Sequence, residues 1–496
     1  MSVSGSSLQH LDEAERVVLS AVPTDLFIDG HWRPAEDGAR LAVEDPSTGE
    51  ALVEVADCTP ADAMAALAAA STAQAAWAAV APRERGEILR RAYEALTERA
   101  DELALLMTLE MGKPVAESRA EIAYSAEFLR WFSEEAVRIH GRYMVNTTGQ
   151  GRIITMRQPV GPCVLVTPWN FPMAMGARKI APAIAAGCTM VVKPAHQTPL
   201  SMLALAGILE QAGLPAGVLN VITTSHSGAT VEPLLRDSRT RKVSFTGSTE
   251  VGARLIEQSA ERVLRVSMEL GGNAPFVVFA DADLEAAVEG AMVAKMRNVG
   301  EACTAANRFH VEESIAAEFG DRLAARMSAL KVGRGTAPGV DVGPLIDETQ
   351  RGKVQQLLDD ARSRGAHVLT GGERLDGRGY FFAPTVLTDV SPDAEIAKEE
   401  IFGPVAPIYT FTTEEEALAA ANRTQYGLVA YLYTNDLGRA LRVAEGIEAG
   451  MVGINQGIVS NPAAPFGGVK ESGFGREGGF EGIGEYLETK YVAVAM

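Results

Sequence analysis

A cysteine and a glutamate lie in two short segments that are rich in small residues. Cys303 is in the stretch RNVGEACTAANR, residues 297–308, and Glu269 is in MELGG, residues 268–272. A thiolate is an effective nucleophile and a carboxylate accepts protons, so the pair suits nucleophilic catalysis followed by general-base catalysis. A lone cysteine is usually a small buried hydrophobe and a lone glutamate a solvated charge. Other motifs must therefore support the catalytic interpretation.

The composition is that of a soluble globular protein. The chain has 496 residues, enough for two or three domains, with 47% hydrophobic and 22% charged residues. No run of about 18 apolar residues is present, so no membrane span is predicted. The 45 basic and 64 acidic residues give a formal net charge of −19. This excess of acid argues against a nucleic-acid partner but leaves room for a local basic pocket that binds an anion.

The four cysteines are scattered, with no paired spacing that would suggest a zinc site or a disulfide framework. The N-terminal stretch MSVSGSSLQHLDEAERVV has neither the apolar core of a secretory signal nor the composition of a transit peptide. Sparse cysteines fit a reducing compartment. The expected location is therefore the cytoplasm.

The middle and the C-terminal part of the chain alternate short apolar runs with helical patterns. Runs predicted to be strands are 161–168, 190–194, 218–222 and 242–246, followed by 276–279, 308–311 and 427–433. Such alternation predicts an α/β protein with two doubly wound parallel sheets. Ahead of them we expect a loose tail of about 25 residues with a short amphipathic piece, a small N-terminal sheet, and helices near 60–80, 83–111 and 115–139.

A nucleotide is expected at the carboxyl ends of such parallel strands. The G-x-G-x-x-G fingerprint of dinucleotide-binding sheets is absent, and the nearest candidate is GSTEVG, residues 247–252. A strand that ends in Gly-Ser-Thr and opens a helix presents free N–H groups to a phosphate. By itself this pattern is only weak support for a nucleotide site.

Seven motifs, in order along nearly the whole chain, resemble those of aldehyde dehydrogenases. They are PWNFP (168–172), KPA (193–195), FTGSTEVG (245–252), MELGGNAP (268–275), the Cys303 loop, EEIFGPV (399–405) and PFGGVKESGFGRE (465–477). The resemblance implies a dinucleotide-binding domain of residues 1–139 and 160–270, and a catalytic domain of residues 271–455. It also implies a small bridging segment, residues 140–159 and 478–496, that joins subunits into a homodimer or homotetramer.

The resemblance also implies roles for individual residues. Cys303 would attack an aldehyde, Asn170 and the Cys303 main-chain N–H would stabilise the oxyanion, and Glu269 would activate the water that releases the acid. Glu477 and Lys179 resemble family residues that help to move protons. The residues assigned to the cofactor are Trp169, Lys193, Pro194, Ala195, His196, Gly247, Ser248, Leu270, Glu400 and Phe402.

Two further predictions concern selectivity. Many NAD-selective relatives carry a glutamate after KPA, whereas this chain has His196, so NADP is favoured and NAD is not excluded. Arg178, Arg297 and Ser460 occupy positions similar to those that hold the far carboxylate in relatives that oxidise succinate semialdehyde. The predicted substrate is therefore a short ω-semialdehyde acid, most simply succinate semialdehyde. Glutarate semialdehyde and a broad range of aldehydes are the alternatives.

Two residues depart from the family pattern. Glu301 replaces the usual glutamine two residues before the nucleophile, and we expect its carboxylate to raise the Cys303 pKa and to oppose an anionic substrate. Ala305 replaces the second cysteine that some relatives carry, so no disulfide switch is predicted in this loop.

Other functions remain open at this point. A Cys-dependent hydrolase or acyltransferase would share the thioester but usually needs a histidine near the cysteine, and His310 is the only one close in sequence. A coenzyme A-acylating dehydrogenase is disfavoured by Glu269, because that route needs no activated water. A non-enzymatic role predicts the loss of Cys303 or Glu269, and both are present.

Overall fold

The computed structural model describes residues 11–496. Its strands form two large sheets and two small ones. The strands are β1 Leu26–Ile28, β2 His31–Arg33, β3 Arg40–Asp45, β4 Glu50–Ala56, β5 Arg142–Val145, β6 Arg152–Pro159, β7 Cys163–Val166, β8 Met190–Lys193, β9 Leu219–Val221, β10 Lys242–Thr246, β11 Arg265–Glu269, β12 Ala274–Val278, β13 Ala306–Glu312, β14 His367–Thr370, β15 Thr385–Thr388, β16 Val405–Phe411, β17 Val429–Tyr433, β18 Met451–Ile454, β19 Gly473–Phe474 and β20 Leu487–Val494.

Helices connect most of the parallel strands. They are α1 Glu13–Ala21, α2 Pro60–Ala79, α3 Pro82–Glu98, α4 Ala100–Met111, α5 Val115–Glu135, α6 Ala174–Ala186, α7 Leu200–Gln211, α8 Ser227–Arg236, α9 Thr249–Ala260, α10 Leu284–Met296, α11 Glu313–Ser328, α12 Glu348–Ser363, α13 Glu395–Lys398, α14 Glu414–Asn422, α15 Leu437–Gly446 and α16 Gly479–Gly484. Short 3₁₀ turns lie at Ala136–Arg138, Arg297–Gly300 and Lys470–Ser472.

The first large sheet has the strand order β19-β11-β10-β7-β8-β9-β1-β2. Its five central strands, β7 to β11, are parallel, and antiparallel strands close both edges. The chain moves outward in one direction from β7 to β9 and in the other through β10 and β11, so the strand order reverses between β7 and β10. The carboxyl ends of these strands at such a reversal form the crevice where α/β proteins bind ligands.

The second large sheet has the order β14-β15-β16-β13-β12-β17-β18 and is parallel except for β14. Its core contains aromatic and β-branched side chains, among them Phe276, whose ring stacks on Tyr433 and lies tilted against Phe309. The two doubly wound parallel sheets predicted from the sequence are therefore confirmed. The residue boundaries given to the domains stay a prediction, although β19 shows that residues 473–474 return to the first sheet.

A separate three-stranded antiparallel sheet contains β5, β6 and β20. β20 pairs with β6 along its whole length, from Leu487 opposite Pro159 to Val494 opposite Arg152. Large apolar side chains on these strands, Tyr143, Met144, Val145 and Tyr491, are exposed. The sheet coincides with the segments predicted to bridge subunits, and that role stays a prediction.

The structure corrects three details of the predicted elements. The helix expected over 83–111 is two helices, α3 and α4, because the backbone leaves the helical region at Arg99. The expected N-terminal sheet is divided, since β1 and β2 extend the first large sheet whereas β3 pairs with β4 alone. Order begins before Leu26, because the amphipathic piece expected in the tail is the helix α1, whose start is fixed by a capping box between Asp12 and Glu15. Residues 1–10 of that tail lie outside the described part of the chain.

Within residues 11–496, no single helix has the length and apolar character needed to cross a membrane. One bent pair, α2 with α3 at an angle of 116°, meets the criteria of length and composition when the two helices are taken together.

Candidate active site

Cys303 lies in the loop between the 3₁₀ turn Arg297–Gly300 and the start of β13. Its side chain is half-buried, and two pockets meet there. One pocket, of about 210 Å³, opens along the carboxyl ends of the first sheet. The other, of about 170 Å³, lies between α5, α6 and the loop after β18. A thiol at the junction can react with a molecule in one pocket while a second molecule occupies the other.

The pocket on the first sheet contains most of the residues predicted to bind the cofactor. Because β7, β10 and β11 are neighbouring parallel strands, the residues that follow them meet at one edge. The predicted residues that line this pocket are Trp169, Asn170, Gly247, Ser248, Glu269, Leu270, Glu400 and Phe402. Gln350 and Lys353 of α12 also line it and were not predicted. They belong to no short motif, so no pattern in the sequence indicates them.

The KPAH segment ends β8 and does not line this pocket. Pro194 and Ala195 are buried, and His196 is exposed. Lys193 Nζ donates a hydrogen bond to Ser227 Oγ at 2.8 Å, and burial lowers the Lys193 pKa to about 8. β8 is the neighbour of β7, so this segment extends the same edge of the sheet away from Cys303.

Close backbone packing at Gly271 and Gly272 brings the two sheets together beside Cys303. A Cβ atom at Gly272 would lie 2.8 Å from the Cys303 carbonyl oxygen, and one at Gly271 would lie 3.0 Å from Glu400 Oε2. The Gly272 N–H donates to Glu400 Oε1 at 3.1 Å. Burial raises the Glu400 pKa to about 7. The glycine pair therefore permits the approach that the sequence suggested, and Glu400 is a half-buried acceptor that lines the pocket.

Asn170 connects the loop after β7 to the Cys303 loop. Its Nδ2 donates to the Glu301 main-chain oxygen at 3.1 Å, and its side chain is almost completely buried. An amide NH₂ group has two N–H bonds, so one donor remains after this hydrogen bond. Asn170 lines the pocket together with Cys303. The second N–H is therefore available to an oxyanion formed at the sulfur.

Glu269 is a buried carboxyl group at the end of β11. Neither of its oxygens accepts a hydrogen bond from residues 11–496. Burial raises the pKa of Glu269 well above its usual value, and the charge of Glu477 raises it further, against Arg178 and Lys179. A carboxylate with a raised pKa is a stronger base than an ordinary glutamate. It is suited to take a proton from water near neutral pH.

The Cys303 thiol is also shifted toward its neutral form. Burial raises its pKa to about 11, Glu400 and Glu269 add to this effect, and Arg178 and Arg297 oppose it. At neutral pH the thiol therefore predominates, and formation of the nucleophile requires a proton acceptor.

The second pocket contains all three residues predicted to bind a carboxylate. Arg178, Arg297 and Ser460 line it with Cys303, so the structure brings them together although they are far apart in the chain. Glu117, Tyr124, Phe171 and Phe466 also line it and were not predicted. They come from α5 and from loops. In such segments the sequence does not distinguish a residue that packs in the core from one that lines a pocket.

Arg178 is buried on α6 and forms an ion pair with Glu477. Its guanidinium carbon lies 4.2 Å from the centroid of the Phe466 ring, and its Nη2 has no hydrogen-bond partner among residues 11–496. Lys179 pairs with the same carboxylate and donates to Ser244 Oγ at 3.0 Å. Burial raises the pKa of Glu477, but Arg178 and Lys179 outweigh this effect and keep it below its usual value. Arg178 thus retains a free donor.

Arg297 is half-buried at the end of α10. Its Nη2 donates to Thr304 Oγ1 at 3.0 Å, and its guanidinium lies 5.1 Å from the centroid of the Phe171 ring. Thr304 and Phe171 are neutral, so neither cancels the charge of Arg297.

The expected effect of Glu301 on the site is wrong. Glu301 is fully buried, and its Oε1 accepts the Ile346 N–H at 3.1 Å, so the side chain points toward the segment before α12. Glu301 lines neither pocket. The Cys303 pKa is shifted chiefly by burial and by the charges of Arg178, Glu400, Arg297 and Glu269. Burial raises the Glu301 pKa well above its usual value, which favours the neutral carboxyl.

Comparison with known proteins identifies the family. The aldehyde dehydrogenase family model matches residues 32–492. A succinate-semialdehyde dehydrogenase of Paenarthrobacter nicotinovorans is 61% identical over 444 residues, 90% of this chain and 99% of that enzyme. A glutarate-semialdehyde dehydrogenase of Pseudomonas putida is 49% identical over 470 residues, 95% of this chain and 97% of that enzyme.

A solved structure described as an E. coli NADP-dependent enzyme is 48% identical with a TM-score of 0.95, and the match covers 96% of this chain and 98% of that one. This chain belongs to the aldehyde dehydrogenase family.

The raised pKa of Glu269 generates a prediction about pH. Below this pKa the carboxyl keeps its proton and cannot accept another from water, so turnover should fall as the pH is lowered through an ionisation above the usual glutamate range. Glu269→Gln should lower turnover and remove that ionisation from the profile of kcat against pH. Glu257→Gln, a change at an exposed site, should leave the profile intact. An unchanged profile in Glu269→Gln would rule out Glu269 as the base.

Proposed function

We propose that this protein oxidises succinate semialdehyde to succinate through a thioester on Cys303, with NADP as the favoured cofactor. The observation that carries the proposal is that Arg178, Arg297 and Ser460 line the same pocket as the Cys303 thiol. A substrate held there by a carboxylate at one end can present an aldehyde to the sulfur at the other. The relative from P. nicotinovorans, named a succinate-semialdehyde dehydrogenase, supports this choice.

The charges around the pocket favour an anionic substrate. Arg297 donates to the neutral Thr304 side chain, and Arg178 keeps an unpaired Nη2 among residues 11–496. Two carboxyl groups that would oppose an anion line the pocket. The pKa of Glu117 is raised by burial, and Glu121 is paired with Lys113 Nζ at 2.6 Å. Guanidinium groups bind carboxylates through paired hydrogen bonds, and a volume of about 170 Å³ suits a short chain.

The first chemical step forms a bond between Cys303 Sγ and the aldehyde carbon. The π electrons of the carbonyl move to its oxygen, and the thiol proton passes to a base. The oxyanion accepts hydrogen bonds from Asn170 Nδ2 and the Cys303 main-chain N–H. Removing one such donor typically costs about 3 kcal/mol of transition-state stabilisation. Solvent that reaches the half-buried thiol is the base for this step, and Glu269 serves the second step.

The cofactor fits the pocket on the first sheet. Ser248 caps α9 at the end of β10, where free N–H groups suit a pyrophosphate, and the half-buried Glu400 carboxyl suits ribose hydroxyls. Trp169 and Phe402 pack edge to face at 5.3 Å between centroids and form a wall of the pocket. A nicotinamide held there would supply the hydride acceptor for the oxidation. His196 in place of a carboxylate leaves room for the 2′-phosphate of NADP, while NAD is also accommodated.

The second chemical step hydrolyses the thioester. Glu269 takes a proton from a water molecule, the water oxygen bonds to the acyl carbon, and the C–S bond breaks to release the acid and return the Cys303 thiolate. Lys179 and Glu477 form an ion pair, and the charges of both groups act on the Glu269 pKa. We assign them the transfer of the proton onward.

Glutarate semialdehyde is the second candidate substrate, because a relative at 49% identity is named for it. It differs by one methylene, and a pocket discriminates against one methylene by only about 1–3 kcal/mol.

A Cys-dependent hydrolase is not supported by the position of His310. This histidine is buried in β13 and lines neither pocket, and burial lowers its pKa to about 3.

The proposed function predicts reduction of the cofactor that depends on Cys303. Purified protein mixed with succinate semialdehyde should reduce NADP faster than NAD at equal concentrations, as followed by absorbance of the reduced nicotinamide. Cys303→Ala should abolish the reaction, whereas Cys163→Ala, at a buried site outside both pockets, should keep it. Release of an acid without reduction of either cofactor would instead support a hydrolase.

The carboxylate pocket predicts a selective defect in Arg297→Met. Loss of one charge-assisted pair should raise the KM for succinate semialdehyde about ten- to a hundredfold. The KM for propanal, which has no carboxylate, should change little. Arg254→Met, at an exposed site, is the matched control. Equal losses for the two aldehydes would show that Arg297 serves the fold of the loop and not the charge of the substrate.

A further inference from the structure

The backbone between Arg297 and Cys303 is strained. Asn298 has φ 52° and ψ 46°, and Val299 has φ 52° and ψ 23°. Asparagine visits this left-handed region more readily than most residues, but a β-branched valine rarely does. Both side chains are buried. Such a conformation persists only where the surrounding contacts hold it, and it often marks a functional site.

The Asn298 side chain makes the contacts that hold this turn. Its Nδ2 donates to the main-chain oxygens of Asn170 and Glu301, both at 2.9 Å. If the amide were rotated by half a turn, its oxygen would face two carbonyl oxygens, neither of which can donate a hydrogen bond. The orientation of the Asn298 amide is therefore determined by its partners. The Asn298 N–H donates to Glu117 Oε2 at 2.6 Å, which anchors the turn to α5.

Asn298 therefore bonds both the residue that carries the proposed oxyanion donor, Asn170, and the residue that orients this donor, Glu301. It holds the main chain of Asn170, and it holds the Glu301 carbonyl that also accepts the Asn170 Nδ2 hydrogen bond at 3.1 Å. Glu301 lies two residues before Cys303. The Asn170 carbonyl also accepts a hydrogen bond from Lys113 Nζ at 2.8 Å, whereas Asn298 Nδ2 bonds the carbonyls of both Asn170 and Glu301. Asn298 lines neither pocket.

We propose that Asn298 is a positioning residue that aligns the Asn170 amide with the Cys303 sulfur across the two sheets. The inference rests on the proposed function, because it assumes that an oxyanion forms at Cys303. Asn298 itself touches no reacting atom. Its effect on the reaction must therefore pass through Asn170, and this dependence can be measured.

The test is a double-mutant cycle on kcat for succinate semialdehyde with NADP. Asn298→Gly keeps the left-handed backbone without strain and removes the amide, and Asn170→Ala removes the donor. Each should lower kcat, by about a hundredfold or more for Asn170→Ala and about tenfold or more for Asn298→Gly. The double variant should be no slower than Asn170→Ala alone, since nothing remains to align. Multiplicative losses would overturn the inference.

Two measurements separate alignment from a general loss of structure. Alkylation of Cys303 by iodoacetamide needs no oxyanion donor, so its rate in Asn298→Gly should stay within about threefold of the unmodified protein. A tenfold fall would overturn the inference, because the thiol itself would be displaced. Val299→Ala is the matched control, since it truncates the adjacent buried side chain without removing a hydrogen bond, and it should retain kcat.

The folding of each variant is checked by the midpoint temperature of its thermal unfolding, compared with that of the unmodified protein. If Asn298→Gly does not fold, Asn298→Ala replaces it. Failure of both to fold, while Val299→Ala folds, would overturn the inference by showing that the amide serves the fold. A normal kcat in Asn170→Ala, or no reduction of the cofactor by the unmodified protein, would overturn the proposed function and this inference with it. If kcat is low in Asn170→Ala but normal in Asn298→Gly, this inference is overturned and the proposed function still stands.

Discussion

The hydrogen bond from Asn170 Nδ2 to the Glu301 carbonyl joins the two halves of the site. Asn170 follows β7 of the first sheet, and Glu301 precedes β13 of the second, so this contact sets the distance between an amide donor and the Cys303 sulfur. The close approach at Gly271 and Gly272 is what permits it. Each sheet supplies an edge of a pocket, and the reactive groups meet only because these edges are held together.

Burial controls the electrostatics of this junction. It raises the pKa values of Cys303, Glu269 and Glu400 together. Arg178 and Arg297 oppose this effect at Cys303, Arg178 and Lys179 oppose it at Glu269, and Lys353 and Lys295 oppose it at Glu400. A negative charge that forms at the sulfur or on a bound substrate is therefore stabilised by fixed cations, whereas the ionised Glu269 carboxylate is a stronger base than an ordinary glutamate. One buried region can thus hold an anionic substrate and keep a base in reserve.

Much of the site could be predicted because parallel strands place their carboxyl ends at one edge. Ser248 follows the strand that the pattern at 242–246 indicated, and the family resemblance identified Arg178, Arg297 and Ser460 as one group. The strand β11, which ends at Glu269, was not among the predicted strands. Contacts across elements could not be predicted in the same way. Nothing in the sequence around Arg178 indicates its ion pair with Glu477, which lies nearly three hundred positions later. Gln350 and Lys353 belong to a helix whose pattern is explained by packing alone.

The position of Glu301 shows a different limit. Two residues before a nucleophile, a carboxylate is expected to act on it. The left-handed backbone at Asn298 and Val299 turns the chain, and the Glu301 side chain bonds the Ile346 N–H instead. Backbone dihedral angles of this kind leave almost no trace in the sequence, since valine is an unusual residue there.

The central claim is that the acid leaves from a thioester on Cys303. The most direct measurement is the mass of the peptide that contains Cys303, taken from Glu269→Gln protein quenched with acid after mixing with succinate semialdehyde and NADP. The account predicts that a succinyl group accumulates on Cys303, because hydrolysis is slowed while acylation continues. An unmodified Cys303 under conditions where the cofactor is reduced, or an acyl group on another residue, would contradict it.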